Sequence, residues 1–479
     1  MARLRSARGG LLRGRRASGV LAGVLAGGLI AGVLASSAAA APAPAGHASA
    51  AKAASATTGW PAYLDGPQHR SYSKAETAIT SATVPELALK WHDMSGQDFL
   101  ASPTVADGAV FIGSTTGWFY KLSVTTGKVL DKFFTGYQST KTCSGLGTVA
   151  TATVASDPRT HQQTVYVAGA NGYLYALRAS NLRQVWKAVI SLPSATVSNY
   201  FDWSSPTVAN GRIYIGIASS CDTPLVRAGL SGYYQTTGKR FATFFTVPRH
   251  DVGGSIWSSA AVAPNGDVYA TTGNGPENDQ LLGHSESVLK LSPKLQLLGA
   301  FQIPSRQVDS DSDFGASPVL FGKDVGACNK NGIFYALKQS NMRRAWEERI
   351  SAQAVSDSIC AAAPVYNGKN LFVAGTGFTI NGVHYAGSVQ ERNPVTGALR
   401  WATGLPNGVT GSPTMDGGGV IAVGTYDTTS TPNATYLLNA SSGQILETLV
   451  EGTAFAQSVF ADSWLFVANS DGVFAYGLK

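Results

Sequence analysis

The sequence predicts an all-β fold: an eight-bladed β-propeller of four-stranded antiparallel blades. Two observations lead there. Short alternating strands, split by Gly, Asn and Asp turns, run through the chain, and helical periodicity is nearly absent. The chain also repeats itself. "ASPTVADGAVFIGSTTGWFYKLSVTTGKV" from Ala101 is echoed by "SSPTVANGRIYIGIASS" from Ser204 and "ASPVLFGKDVGACNKNGIFYALKQSNMRRAW" from Ala316. Further copies begin at Thr151, Ser258, Ala362, Gly411 and Ala456, giving eight units 45 to 58 residues apart. A sheet repeated radially is a propeller; an open β-solenoid is the alternative.

Residues 1–16, "MARLRSARGGLLRGRR", are Arg-rich and free of acids, and the apolar run "ASGVLAGVLAGGLIAGVLASSAAAA" follows them. That order reads as a secretory signal peptide. Residues 1–50 are therefore expected to be signal and small-residue linker, and 51–479 a single propeller without a stable membrane span after processing. The alternative is a retained anchor. Arg15-Arg16 hints at twin-arginine export, and no cysteine follows the run to carry a lipid. Four cysteines suit disulfides in an exported chain.

The net charge of +7 is inflated by the signal segment, and no basic run follows it, so nucleic acid is a poor partner. Seven scattered histidines lack zinc spacing. Neither Gly-x-Ser-x-Gly nor His-Glu-x-x-His occurs, which leaves a hydrolase on this scaffold without a motif. Nor does Cys-x-x-Cys-His, so there is no covalent haem motif.

After the linker, "ELALKWHDM" around Trp91 is a lone strand, and the unit from Ala456 ends after about three strands. The strand from Leu87 to Trp91 is expected to complete that unit and close the ring, removing free sheet edges. Recurrent "YAL…W" segments place an Ala on one strand and a Trp on the next, so that the small residue lets a neighbouring blade's indole dock flat. Trp91, Trp186, Trp346 and Trp401 belong to this class. Trp257 precedes its unit's first strand instead, and that strand pair ends in Thr-Gly-Asn at Asn274.

These repeats, with "DSDFGASPVLF", "VGACNKNGIFYAL" and "WSSAAVAPNGDVYATTGN", resemble the pyrroloquinoline quinone (PQQ) repeat of the quinoprotein alcohol dehydrogenase family, nearest its polyvinyl-alcohol-dehydrogenase-like branch. The resemblance implies an eight-bladed propeller and assigns roles residue by residue. Trp257 is the floor on which the flat quinone stacks, and Asn274 offers its side-chain oxygen to calcium. Asp313, in "DSDSDFG", carries the catalytic carboxylate that takes the alcohol's proton. Lys330 reaches the quinone and stabilises charge building there. Asp222, before Val226-Arg227-Ala228, is a calcium ligand one position off the expected spacing. Arg227 meets a PQQ carboxylate or braces its loop. Structural alternatives stand beside these: a blade tryptophan and a turn Asn, a solvated acidic turn or separate calcium loop over Asp309, Asp311 and Asp313, and a surface lysine.

One departure is plain. Many periplasmic members cover the quinone with a disulfide between adjacent cysteines, and no Cys-Cys occurs here. With the signal segment, the resemblance thus implies an exported PQQ- and calcium-dependent dehydrogenase acting on a small or polymeric alcohol or sugar, with an external electron acceptor. The alternative is a non-catalytic propeller that binds a protein or polysaccharide. Propeller geometry sets the loops of Cys328 and Cys360 on one face, which predicts that pair, and Cys143–Cys221 similarly.

Overall fold

In the computed structural model, which describes residues 58–138, 146–192, 200–222, 224–276, 281–308, 311–352, 360–427 and 431–479, every repeat folds into one sheet whose strands pair in sequence order. The eight blades span residues 104–134, 153–189, 207–245, 261–302, 319–349, 365–405, 414–449 and 459–478. Helix among the described residues is limited to three 3-10 turns of three residues each. The eighth blade supplies three strands, and its last, Gly472–Leu478, pairs antiparallel with Leu87–Asp93, Leu87 opposite Leu478. Burial falls outward within a blade: Ala109–Gly113 is wholly buried, whereas Val129–Phe134 alternates between exposed and half-buried.

The repeated Ser-Pro-Thr-Val explains how blades hold together. The hydroxyl at the Ser position accepts an N–H from the preceding blade: Ser102 N to Thr151 Oγ1 at 3.0 Å, Thr151 N to Ser205 Oγ at 3.0 Å, Ser205 N to Ser259 Oγ and Ser259 N to Ser317 Oγ at 2.9 Å each. Gln457 N donates to Ser102 Oγ at 2.9 Å and joins blade eight to blade one. The Thr hydroxyl, two residues on, donates to the next blade's carbonyl: Thr104 to Ala152, Thr153 to Pro206, Thr207 to Ala260. These groups are buried, so each unmade bond would cost about 1–3 kcal/mol.

A segment without any repeat crosses these inner strands. Residues 58–76 present backbone carbonyls to successive blades. Thr58 O accepts from Asp462 N, Pro61 O from Val154 N, Pro67 O from Val262 N, Gln68 O from Leu320 N, Arg70 O from Tyr366 N and Ser71 O from Met415 N. Trp60 bridges to Val105. Thr58 Oγ1 then donates to Glu76 Oε2 at 2.6 Å, tying the two ends of the segment. Its anchors Trp60, Leu64, His69 and Glu76 are buried.

The tryptophan seats differ from the expectation. Ala176 and Ala336 lie opposite Trp186 and Trp346 within the same blade, as cross-strand partners. The indoles of Trp91, Trp186, Trp346 and Trp401 dock instead on Gly127, Gly238, Gly397 and Gly443 of the following blade. A Cβ at any of these would come within 2.5 to 2.6 Å of the ring. All four glycines have positive φ, so the turn and the close approach select Gly together. Cys328 and Cys360 form a disulfide with Cα atoms 5.6 Å apart, as expected. Cys221 is disulfide-bonded as well, while Cys143 lies outside the described residues.

Candidate functional site

In blades three to five, second strands end, and first strands are approached, on the same side of the sheets. Three loops meet there. One follows Arg212–Ser219 and carries Asp222. The second belongs to blade four, with Trp257 ahead of Ala261–Val262 and Asn274 just past Val268–Thr271. The third belongs to blade five, with Asp313 ahead of Val319–Phe321 and Lys330 just past Asp324–Cys328.

The side chains converge. Trp257 Nε1 donates to Asp313 Oδ2 at 2.7 Å. Lys330 Nζ lies 2.8 Å from Asp313 Oδ1, 2.9 Å from Asp311 Oδ2, and 5.3 Å from the centre of the Trp257 ring. Asn274 Nδ2 donates to Asp311 Oδ1 at 2.9 Å and reaches Asp222 Oδ2 at 3.4 Å. Ser219 Oγ donates to Asp222 Oδ1 at 2.6 Å and sits 2.8 Å from Ser255 Oγ. Thus Asp222, Trp257, Asn274, Asp313 and Lys330 form one cluster. Asp309 lies outside the described residues.

Arg227 stands apart from these contacts. Its guanidinium lies 3.9 Å over the Phe245 ring, and Nε donates to Pro248 O at 3.0 Å. Those contacts are those of a loop brace.

The backbone fixes the loops to one another. Gly273 N donates to Ser255 O at 2.7 Å, Gly254 N to Asn274 O at 2.7 Å, Phe314 N to Thr272 O at 3.2 Å and Lys330 N to Asp313 O at 3.0 Å. Gly315 lies against the indole, where a Cβ would stand 2.7 Å from Trp257 Cη2.

Electrostatics follow from burial. The Asp313 side chain is 3% exposed and that of Asp311 56%. The Asp313 pKa is raised to about 6: burial lifts it most, Lys330 pulls it down, and Asp311 and Asp222 push it up. Burial works against the Lys330 ammonium, but Asp313 and Asp311 outweigh it and hold its pKa above the ordinary lysine value.

Two observations fit a hard cation. Asn274 Oδ1 is buried with no hydrogen-bond partner among the described residues. Lys330 Nζ pairs with Asp311 and Asp313, while Asp222 reaches the same Asn274 amide as Asp311, so three carboxylates share the cluster with one ammonium, an excess of negative charge. All are oxygen donors of the kind calcium takes. For a flat quinone, the half-buried indole of Trp257 with a cation beside it is a fitting seat.

One residue of the site escaped the sequence reading. Glu286 is fully buried, and its Oε2 accepts from Ser312 Oγ at 2.7 Å. Its pKa is raised to about 7: burial lifts it most, the Ser312 bond lowers it, and Asp313 and Asp311 add to the rise. Its only signal in the sequence is an acid where the strand Ser287–Leu291 begins.

Known proteins match this architecture. A PQQ-repeat family profile, described as outer membrane protein assembly factor BamB, matches residues 88–223 and 306–479. Asp222, Asp311, Asp313 and Lys330 fall within the matched segments, and Trp257, Asn274 and Glu286 between them. Lupanine 17-hydroxylase [cytochrome c] from Pseudomonas sp is 28% identical over 194 residues, 40% of this chain and 27% of that protein. The alignment therefore spans about a quarter of the hydroxylase's length. Among solved structures, quinohemoprotein alcohol dehydrogenase from Comamonas testosteroni is 16% identical, with a TM-score of 0.66 over 88% of this chain and 80% of its own. A europium-containing methanol dehydrogenase gives 14%, with a TM-score of 0.69 over 88% and 98%. BamB from Moraxella catarrhalis gives 15%, with a TM-score of 0.55 over 82% and 100%. These structures share the fold. With the profile covering well over half of its length, the chain belongs to the PQQ-repeat family.

Proposed function

We propose that the protein is an exported dehydrogenase that uses PQQ and calcium to oxidise an alcohol or sugar hydroxyl and passes the electrons to an external acceptor. The observation that carries this reading is the meeting of Asp222, Trp257, Asn274, Asp313 and Lys330 from three consecutive blades. The names of the relatives support it: a hydroxylase, an alcohol dehydrogenase and a methanol dehydrogenase.

When bound, PQQ supplies a hydride acceptor and calcium a Lewis acid. The protein's part is proton handling and placement. Asp313 takes the hydroxyl proton on its carboxylate; with a pKa near 6 it is ionised at neutral pH yet basic enough to accept. Trp257 Nε1 and Lys330 Nζ hold its two oxygens and fix its plane. Lys330 also places positive charge beside the Trp257 ring, where it would stabilise negative charge on a quinone held there. Asn274 and Asp222 offer oxygens to the cation.

A second reading is favoured by the family profile's own description as an assembly factor. A scaffold propeller binds a protein or polysaccharide and needs neither PQQ nor calcium. Absorbance spectra and calorimetric titration of the purified protein with both decide between the two. Asp313→Asn is expected to keep PQQ bound and slow oxidation by about 10²–10⁴-fold, the usual weight of a general base. Absence of PQQ binding in the presence of calcium leaves the scaffold reading.

A further inference from the structure

Glu286 is an acid in an unusual place. It is 0% exposed and its backbone has φ 46, in the left-handed region. An ordinary residue pays about 1 kcal/mol or more to sit there. Both ends of the residue are committed. Its N–H donates to Gly273 O at 2.9 Å, its carbonyl accepts from Ile303 N at 3.2 Å, and Oε2 accepts from Ser312 Oγ at 2.7 Å. Oε1 is buried without a partner among the described residues.

These bonds join two loops. Gly273 immediately precedes Asn274. Ser312 stands between Asp311, which accepts from Asn274 and Lys330, and Asp313, which accepts from Trp257 and Lys330. Asn329 Nδ2 holds the Ser312 carbonyl, so the Ser312 backbone is pinned from the far side. The Ser312 hydroxyl and the Glu286 backbone thus set the distance between the Asn274 amide and the two carboxylates. An oxygen-donor site for a cation depends on that distance.

We propose that Glu286 is a positioning residue for the cation site, acting through Ser312 as a buried hydrogen-bond acceptor. The proposal rests on the cation reading above. Glu286 touches neither the cation nor the substrate in this scheme. It holds the Asp311–Asp313 turn at its working separation from Asn274.

The test is calorimetric titration of calcium into the full chain, comparing wild type with E286Q, E286A, S312A and the E286A/S312A double variant, each checked by thermal unfolding. E286A and S312A are expected to weaken calcium binding by about ten- to a hundredfold, the usual cost of removing a partner of a metal ligand. The double variant should be no worse than the weaker single, because both remove one bond. E286Q keeps an acceptor for Ser312 and is expected to stay within about threefold of wild type. If E286A does not fold, S312A against E286Q decides alone. Wild-type affinity in S312A, additive losses in the double variant, or E286Q as weak as E286A would overturn the proposal. A wild-type protein that binds no calcium overturns the cation reading first, and this inference with it.

Discussion

Gly315 offers a way to disturb the proposed quinone floor without replacing any residue assigned to the chemistry. A Cβ at this position would lie 2.7 Å from Trp257 Cη2, 2.8 Å from Cζ2 and 3.1 Å from Ala361 Cβ. Carbon atoms settle about 3.5–4.0 Å apart, so in Gly315→Ala the indole has to retreat by roughly an ångström. Ala361 cannot yield readily, because it follows Cys360, which is tied to Cys328. Gly315 is not among the residues with positive φ, so the substitution adds no backbone strain and the cost is packing alone. Overpacking of this kind costs about 1–3 kcal/mol. The retreat also stretches the 2.7 Å bond from Trp257 Nε1 to Asp313. If the quinone rests on that indole plane, the same energy appears in binding, and at about 1.4 kcal/mol per factor of ten PQQ affinity falls roughly five- to a hundredfold. Calorimetric titration with PQQ in saturating calcium measures the affinity, and denaturant unfolding measures the stability. Reduced stability with unchanged PQQ affinity would show that Trp257 is not the floor.

Three further outcomes are expected. Lys330→Met removes the ammonium that pulls the Asp313 pKa down against its burial, so the acid limb of the kcat/KM profile should move to higher pH; a profile unmoved by the change removes Lys330 from the control of that carboxylate. Asp416, fully buried, has its pKa raised to about 7, first by burial. Between pH 4 and 7 the unfolded chain has released this proton and the folded one has kept it, so stability falls as pH rises, and Asp416→Asn should gain on wild type in unfolding midpoint from pH 5 to pH 8; a constant difference refutes the assignment. Trp60→Ala, emptying a fully buried site beside Phe99 and Val105, should lower the unfolding free energy by about 3–5 kcal/mol, and a loss below 1 kcal/mol in denaturant unfolding would mean the 58–76 segment is not a structural part of the ring.

How much of this the sequence disclosed depends on whether a feature is carried by side chains or by backbone. The blades were legible because each Ser-Pro-Thr-Val is a side-chain instruction, one hydroxyl accepting from the blade before and one donating to the blade after. The tryptophans were recognised as blade contacts, yet their seats were misplaced. An Ala opposite in the same strand pair and a Gly in the next blade's turn are both small residues near a Trp, and only the three-dimensional register separates them. The site was legible at Trp257, Asn274, Asp313 and Lys330 because these break the repeat in a known order. The segment over residues 58–76 was invisible for the opposite reason. It binds its blades chiefly through main-chain carbonyls, which every residue possesses, and it has no period.

Glu286 was missed on similar grounds, since an acid heading a strand reads as exposed until the packing encloses it. Once enclosed, it acquires meaning from its neighbours. A buried carboxyl with one oxygen on Ser312 and one without a partner is costly in a packed interior, and the surrounding structure must overcome that cost. Such groups concentrate where geometry is held against strain for a purpose. The left-handed backbone of Glu286, the buried and unpartnered Asn274 Oδ1 and the excess of carboxylates over the one Lys330 ammonium lie within one set of three loops. Stability alone would favour replacing each of them with an ordinary packed residue. Their meeting where blades three, four and five come together therefore argues for a working site.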